Sequence, residues 1–418
     1  MRVICMSENY HYYSPSMLSV DGMLVTVSCR ARAGKEYGYI ELLCERQSTD
    51  GEQAESTVIC SPPARVISSD ENNARTAFFT APATALTKEG DIIMLSAFFP
   101  ESLGGADRRL LEKKKVACAY HDGKRHPLIY DRDGNFFYVT DSGSVLDRQK
   151  QPTPYTVKPL GELYKGEEYC GNIYLNGAKG RADEATQTTF GAPLKAPKRS
   201  YILMFRSADG GKTWSEPTDI TPFILSEKDS PYLVTASGAA LTTDSGRLIF
   251  TLKTEKENIC VYTDDGGKTW GRNQRQPYTG TRGDWVAYAT PDGNLHALSC
   301  DGGRLSGALS PDNGILWVKG DKPRFRSGSG AFGCAVTADK VFISHPAPKG
   351  SDTAGIVVGD FVYDKKDRFK GVVWRKEEAL LKKPLGASTL AVIDSETIAI
   401  AYEDTAADDI NIEYIRLQ

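Results

Sequence analysis

The chain has 418 residues, with 51 basic and 54 acidic side chains, a formal net charge of −3, and 39 glycines and 21 prolines. That length admits one large all-β domain or two ordinary ones, and it buries a sizeable core without covalent staples. The balanced charge leaves no footprint for nucleic acid, and no apolar run is long enough for a helical membrane span.

In chain order, Met1 to Tyr13 is too polar for a secretory signal. Arg2 to Met6 then reads as a first strand. Short runs of β-branched and aromatic residues follow, each bounded by Gly, Asp or Asn. Examples are Met23-Leu-Val-Thr-Val27, Ile92-Ile-Met-Leu95, Tyr201-Ile-Leu-Met-Phe205, Arg247-Leu-Ile-Phe-Thr251 and Thr397-Ile-Ala-Ile-Ala-Tyr402. Each is strand length, and helical signals are few, so the pattern predicts a sandwich, barrel or propeller. Residues from about 123 to 200 break the rhythm and read as an insertion, with a lysine-rich, loop-like stretch from 177 to 199. The last strand, Ile410 to Leu417, is expected to pair with the first and close the ring.

A repeat decides among these architectures. Ser207-Ala-Asp-Gly-Gly-Lys-Thr-Trp214 is one copy and Thr263-Asp-Asp-Gly-Gly-Lys-Thr-Trp270 a second. Ser310-Pro-Asp-Asn-Gly-Ile-Leu-Trp317 is a third, altered between Gly and Trp, and Ser48-Thr-Asp-Gly51 is the front half of a fourth. Successive aspartates lie 265 − 209 = 56 and 312 − 265 = 47 residues apart, which suits one four-stranded blade per copy. Hydroxyl and carboxylate oxygens bond the turn's own amides, Gly supplies positive φ, and Trp packs back over the turn. The motif is therefore a folding device, and none of its residues is expected in catalysis. The nine cysteines include no CxxC pair, so no metal site is expected; they read as buried apolar residues, with one or two disulfides left open. No cofactor fingerprint appears.

These turns resemble the Asp-boxes of the sialidase (neuraminidase) superfamily. The resemblance extends to Asn9–Gly51, to His126–Tyr138 and Gly161–Tyr174 (an insertion of the large bacterial members), to Ser207–Pro222, and to Ile343-Ser-His-Pro346 and Ala401-Tyr-Glu-Asp404. It implies an all-β, six-bladed propeller over residues 1–418 with an inserted irregular β segment. It also implies an extracellular or cell-surface setting and a glycan or glycoprotein partner.

Such enzymes grip a carboxylated sugar with three arginines and use a tyrosine nucleophile, an assisting glutamate and an acid/base aspartate. By local register, Tyr13 stands at the first arginine, Ser299 or Cys300 at the second, and Ser351 or Asp352 at the third. Ala81-Pro82 replaces an Asp-Pro segment, and Ala387 stands at the tyrosine. Only Glu403, a supporting carboxylate, keeps its type. Without three arginines there is no carboxylate clamp, and alanine offers no nucleophile.

Two carboxylates stand near their implied places, Glu36 for the acid/base and Asp284 for the assisting glutamate, enough for glycoside hydrolysis in principle. Arg30, Arg32, Arg324 and Arg326 are candidate cations for an acidic ligand, each weighed against a solvated loop charge. Tyr12, Tyr13, Tyr37, Tyr39 and Trp285 form a candidate sugar platform, weighed against blade packing. His345 reads as a turn residue. Three functions follow in order: a glycan- or protein-binding propeller without sialidase chemistry, a hydrolase of altered specificity using Glu36 and Asp284, and an ordinary exo-sialidase.

Overall fold

The computed structural model describes residues 2–3, 10–32, 40–49, 54–63, 77–101, 111–112, 115–175, 192–225, 230–236, 238–255, 257–273, 284–301, 303–325, 327–328, 330–346, 354–375, 378–381, 385–404 and 409–417. Six antiparallel blades surround an axis, and a seventh sheet is inserted into the second blade.

Blade 1 is Tyr10–Val20, Met23–Arg32, Ile40–Ser48 and Ala54–Cys60. Blade 2 is Phe78–Leu86, Ile92–Phe99, Tyr201–Ser207 and Thr218–Asp219. Blade 3 comprises Leu248–Thr254, Asn258–Thr263 and Gly271–Arg272, with Leu233–Thr235 and Leu241–Thr242 sharing the innermost place. Blade 4 is Asp284–Ala289, Leu295–Asp301, Arg304–Ser310 and Val318–Lys319. Blade 5 is Gly333–Val336, Lys340–His345, Ala354–Tyr363 and Phe369–Trp374.

Blade 6 is Leu385–Val392, Thr397–Asp404 and Asp409–Arg416, and its outer strand is Arg2–Val3 from the other end of the chain. Arg2 faces Ile412 and Val3 faces Asn411, so the first and last blades are sewn together and a free sheet edge disappears. The cores lie between blades. The largest packs Phe79, Phe98, Phe99, Phe205 and Phe250, all fully buried, among blades 1, 2 and 3.

The insertion is a seven-stranded antiparallel meander running from Cys118 to Asn172 between the second and third strands of blade 2. It has its own small core of Ile129, Val145, Leu163, Ile173, Ala192 and Leu194.

All three complete box copies connect the third strand of a blade to its fourth. In the first, Gly211 N donates to Ser207 Oγ at 2.8 Å, Thr213 N donates to Asp209 Oδ1 at 2.9 Å, and Trp214 Nε1 donates to Gly211 O at 3.2 Å. The second repeats these bonds residue for residue. The third keeps them too, through Ser310, Asp312, Leu316 and Trp317, and loses only the threonine hydroxyl. Gly211 and Gly267 have φ of 87° and 91°, which an L side chain rarely adopts. Ser48 likewise ends the third strand of blade 1, while Asp50 and Gly51 lie outside the described residues.

The eight described cysteines are in the thiol form, and six of them are buried. His345 is not a turn residue: it ends a strand, is fully buried and stacks on Phe325 with ring centroids 4.2 Å apart.

Candidate functional site

The inner strands of a propeller converge on its axis, where side chains must be small and backbone groups still need partners. Hydroxyls serve that need here. Ser16 Oγ and Thr84 Oγ1 meet at 2.7 Å, and Thr84 N donates to Ser16 Oγ at 3.0 Å. Thr389 Oγ1 accepts from Met17 N at 3.4 Å, and Ser344 Oγ and Ser388 Oγ meet at 2.9 Å. These bonds join blades 2, 1, 6 and 5 in a girdle. Gly238–Ala239 crosses the middle, pairing parallel with Ala83–Thr84 and touching the inner strands of blades 1, 5 and 6. A Cβ on Gly238 would lie 3.6 Å from Phe332 O and 3.9 Å from Ser388 O.

Beside the girdle, three inner strands bulge in the same way. In blade 1 the ladder runs to Tyr13–Cys29 and resumes at Ser16–Val27, so Ser14 and Pro15 oppose Ser28 alone. In blade 2 it runs to Thr80–Ala97 and resumes at Ala83–Leu95, so Ala81 and Pro82 oppose Ser96. In blade 6 it runs from Leu385–Asp404 to Ser388–Tyr402, so Gly386 and Ala387 oppose Glu403. A two-on-one bulge re-aims side chains and is common beside active sites. Ser14 and Ala81 hold φ of 55° and 51°, a strained region for residues with a Cβ.

Glu403 ties two of the bulges together. Its Oε1 accepts from Ser14 N at 2.5 Å and its Oε2 accepts from Ala387 N at 2.9 Å. A Cβ on Gly386 would lie 2.1 Å from Oε2, so only glycine lets the carboxylate in. Cys29 ties the first bulge to the second, with Sγ 4.0 Å from Phe79 O. Burial pushes the Cys29 thiol far above its ordinary range, which removes it as a nucleophile. Burial, with the Cys29 and Glu403 charges, likewise holds the Tyr13 phenol well above its ordinary value.

The six-bladed propeller is shared with known proteins. Sialidase B of Streptococcus pneumoniae is 24% identical over 200 residues, 44% of this chain and 28% of that protein. A sialidase of Bacteroides fragilis is 27% identical over 231 residues, 50% of this chain and 40% of that protein. The matched stretches thus cover less than half of these curated relatives. The crystal structure of the intramolecular trans-sialidase of Ruminococcus gnavus superposes with a TM-score of 0.77 at 19% identity, over 98% of this chain and 94% of that one. The NanB sialidase of S. pneumoniae gives 0.77 at 17%, over 100% and 70%. No family model matches the chain. Its fold is that of the sialidase-type six-bladed propeller.

Within this sialidase-type propeller, Tyr13, Ala81, Ala387 and Glu403 all fall in or against the bulges. Tyr12, one residue from Tyr13, points to the opposite side of its strand and packs into the blade 1–blade 6 core, 5% exposed. Trp285 packs edge-on against Trp317 at 5.3 Å between blades 3 and 4. Arg30 donates from Nε to Glu41 Oε1 at 2.7 Å, and a second guanidinium nitrogen reaches the same oxygen. The Tyr10 ring covers its face at 4.6 Å, so its charge is already compensated. Arg324 is exposed, next to Phe325. Asp284 opens the inner strand of blade 4 opposite Cys300, and Arg32 ends the second strand of blade 1 opposite Tyr10; both are placed by backbone alone. Glu36, Tyr37, Tyr39, Arg326, Ser351 and Asp352 lie outside the described residues.

The residue patterns missed the bulges themselves. The available signal was Pro15 and Pro82, because proline inside a strand marks a bulge or an edge. Among the described residues no cluster of His, Cys, Asp or Glu is set to hold a metal ion, and no helix is long and apolar enough to cross a membrane.

Proposed function

We propose that the protein binds glycans at its axial face and does not cleave sialosides. One observation supports this most strongly. The bulge that would present a nucleophile presents Ala387, and Glu403 beside it is committed to the amides of Ser14 and Ala387. The scaffold of a sialidase pocket is kept, at the energetic cost of two strained residues, about 1–3 kcal/mol each. Its reacting group has been replaced by a methyl.

Tyr13, beside the first bulge, is the described side chain best placed to contact a ligand there. The relatives act on sialylated substrates by name, so sialylated or neighbouring cell-surface glycans are the ligand class, met outside the cell. The test pairs a glycan array with turnover of a fluorogenic sialoside. Retention of array glycans with no turnover is expected. Release of sugar from a sialoside, or an array on which nothing is retained, overturns the proposal.

A further inference from the structure

Away from the axis, a cavity of about 520 Å³ lies between the inserted meander, the outer edge of blade 2 and the second box turn. Its size falls within the roughly 300–1,000 Å³ of small-molecule sites, and its walls are largely apolar, as theirs are. Three features set its chemistry.

Asp219, the last residue of blade 2, lines the cavity and accepts from Thr221 N at 2.9 Å. Burial pushes its carboxyl up to about 6, against the opposing pull of the Thr221 hydrogen bonds and the Arg199 charge. Phe223, on the short helix Thr221–Ile224, also lines the cavity and is 43% exposed, unusual for so large an apolar side chain. Trp270 presents its ring to the same space, its indole N–H already donated to Gly267 O at 3.1 Å. Around these stand three cations, Arg125, Lys158 and Lys268. Arg125 is anchored on the carbonyls of Pro222 and Leu225, and Lys158 lies 4.0 Å above the Tyr164 ring.

This layout discriminates among ligands. An anion would meet the Asp219 and Asp141 carboxylates, and a cation would meet Arg125, Lys158 and Lys268. A neutral polyol with an apolar face meets neither penalty. We propose that the cavity is a second binding site, for a neutral hexopyranose unit, with Asp219 accepting from adjacent hydroxyls and Phe223 and Trp270 covering the ring's C–H face. The site extends the glycan-binding reading but shares no residue with the axial face.

The test is calorimetric and saturation-transfer NMR titration of the full chain with methyl hexopyranosides of gluco, galacto and manno configuration. Phe223→Ala and Asp219→Asn are titrated alongside, with folding checked by thermal melts. Phe223 is half-exposed and asparagine keeps an acceptor for Thr221 N, so both variants should fold. Saturable binding of at least one sugar is expected, weakened about tenfold in each variant, some 1.4 kcal/mol. Axial retention of array glycans should be unchanged in both. No saturable binding to the unaltered chain, or binding that both variants keep, overturns the inference. A positive array result beside either of those outcomes leaves the axial reading standing alone.

Discussion

The box turns and the axial bulges solve one problem in two ways. Each gives a carboxylate to backbone amides that a sheet leaves unpaired. In a box, Asp209 and the Thr213 amide it serves are four residues apart. At the axis, Glu403 serves an amide 389 residues away. The box is complete within eight residues and folds the same way in three blades. The axial arrangement exists only once the ring is closed. Local devices can be copied and degraded copy by copy, whereas the axial one is built once.

Glu403→Ala breaks the comparison at its larger end. It strands two amides and unties blades 1 and 6, so denaturant unfolding should show a loss of about 2–3 kcal/mol. Glu403→Gln, with one carbonyl acceptor in place of two, should recover about half.

Asp209→Ala should cost less, about 1–2 kcal/mol at pH 7, because the site is exposed and screened. This cost also depends on pH. Burial pushes the Asp209 carboxyl up, but hydrogen bonds from the Thr213 hydroxyl and amide and from the Ser207 hydroxyl outweigh it and bring the carboxyl down to about 2. A depressed carboxyl contributes stability above its unfolded value near 3.9 and loses it as pH falls through 2. Unfolding curves of the two proteins should therefore converge between pH 4 and pH 2. A gap independent of pH would show that the ionised form is not what the turn uses.

Leu316→Thr sharpens the comparison at its small end. The third box lacks the hydroxyl that Thr213 and Thr269 give to their aspartates at 2.5 and 2.6 Å. Leu316 is 38% exposed, so little packing is lost. The substitution should add about 0.5 kcal/mol, read as a small rise in Tm. No rise would mean that the hydroxyl is dispensable in this turn.

Legibility in the sequence followed the same division. The strands, the box hairpins and the pairing of the chain ends are visible because side-chain alternation, turn residues and an eight-residue hydrogen-bond pattern are local. The positions of Tyr13, Ala387 and Glu403 could be named from a local resemblance. What surrounds them could not. Tyr12 and Trp285 carry the same aromatic signal as Tyr13, yet they pack into interfaces between blades. Arg30 has the residue type of an acid clamp, yet Glu41 and Tyr10 claim it.

By itself the sequence determined a closed ring of blades, three of them pinned by a turn whose bonds lie within a few residues. Only the tertiary structure decided that Ser14–Pro15, Ala81–Pro82 and Gly386–Ala387 form matching bulges, joined by Glu403 and Cys29. It alone placed Asp219, Phe223 and Trp270 around one cavity beside the insertion. The physical reason is distance along the chain. These contacts join blades far apart in sequence, so no local pattern records them.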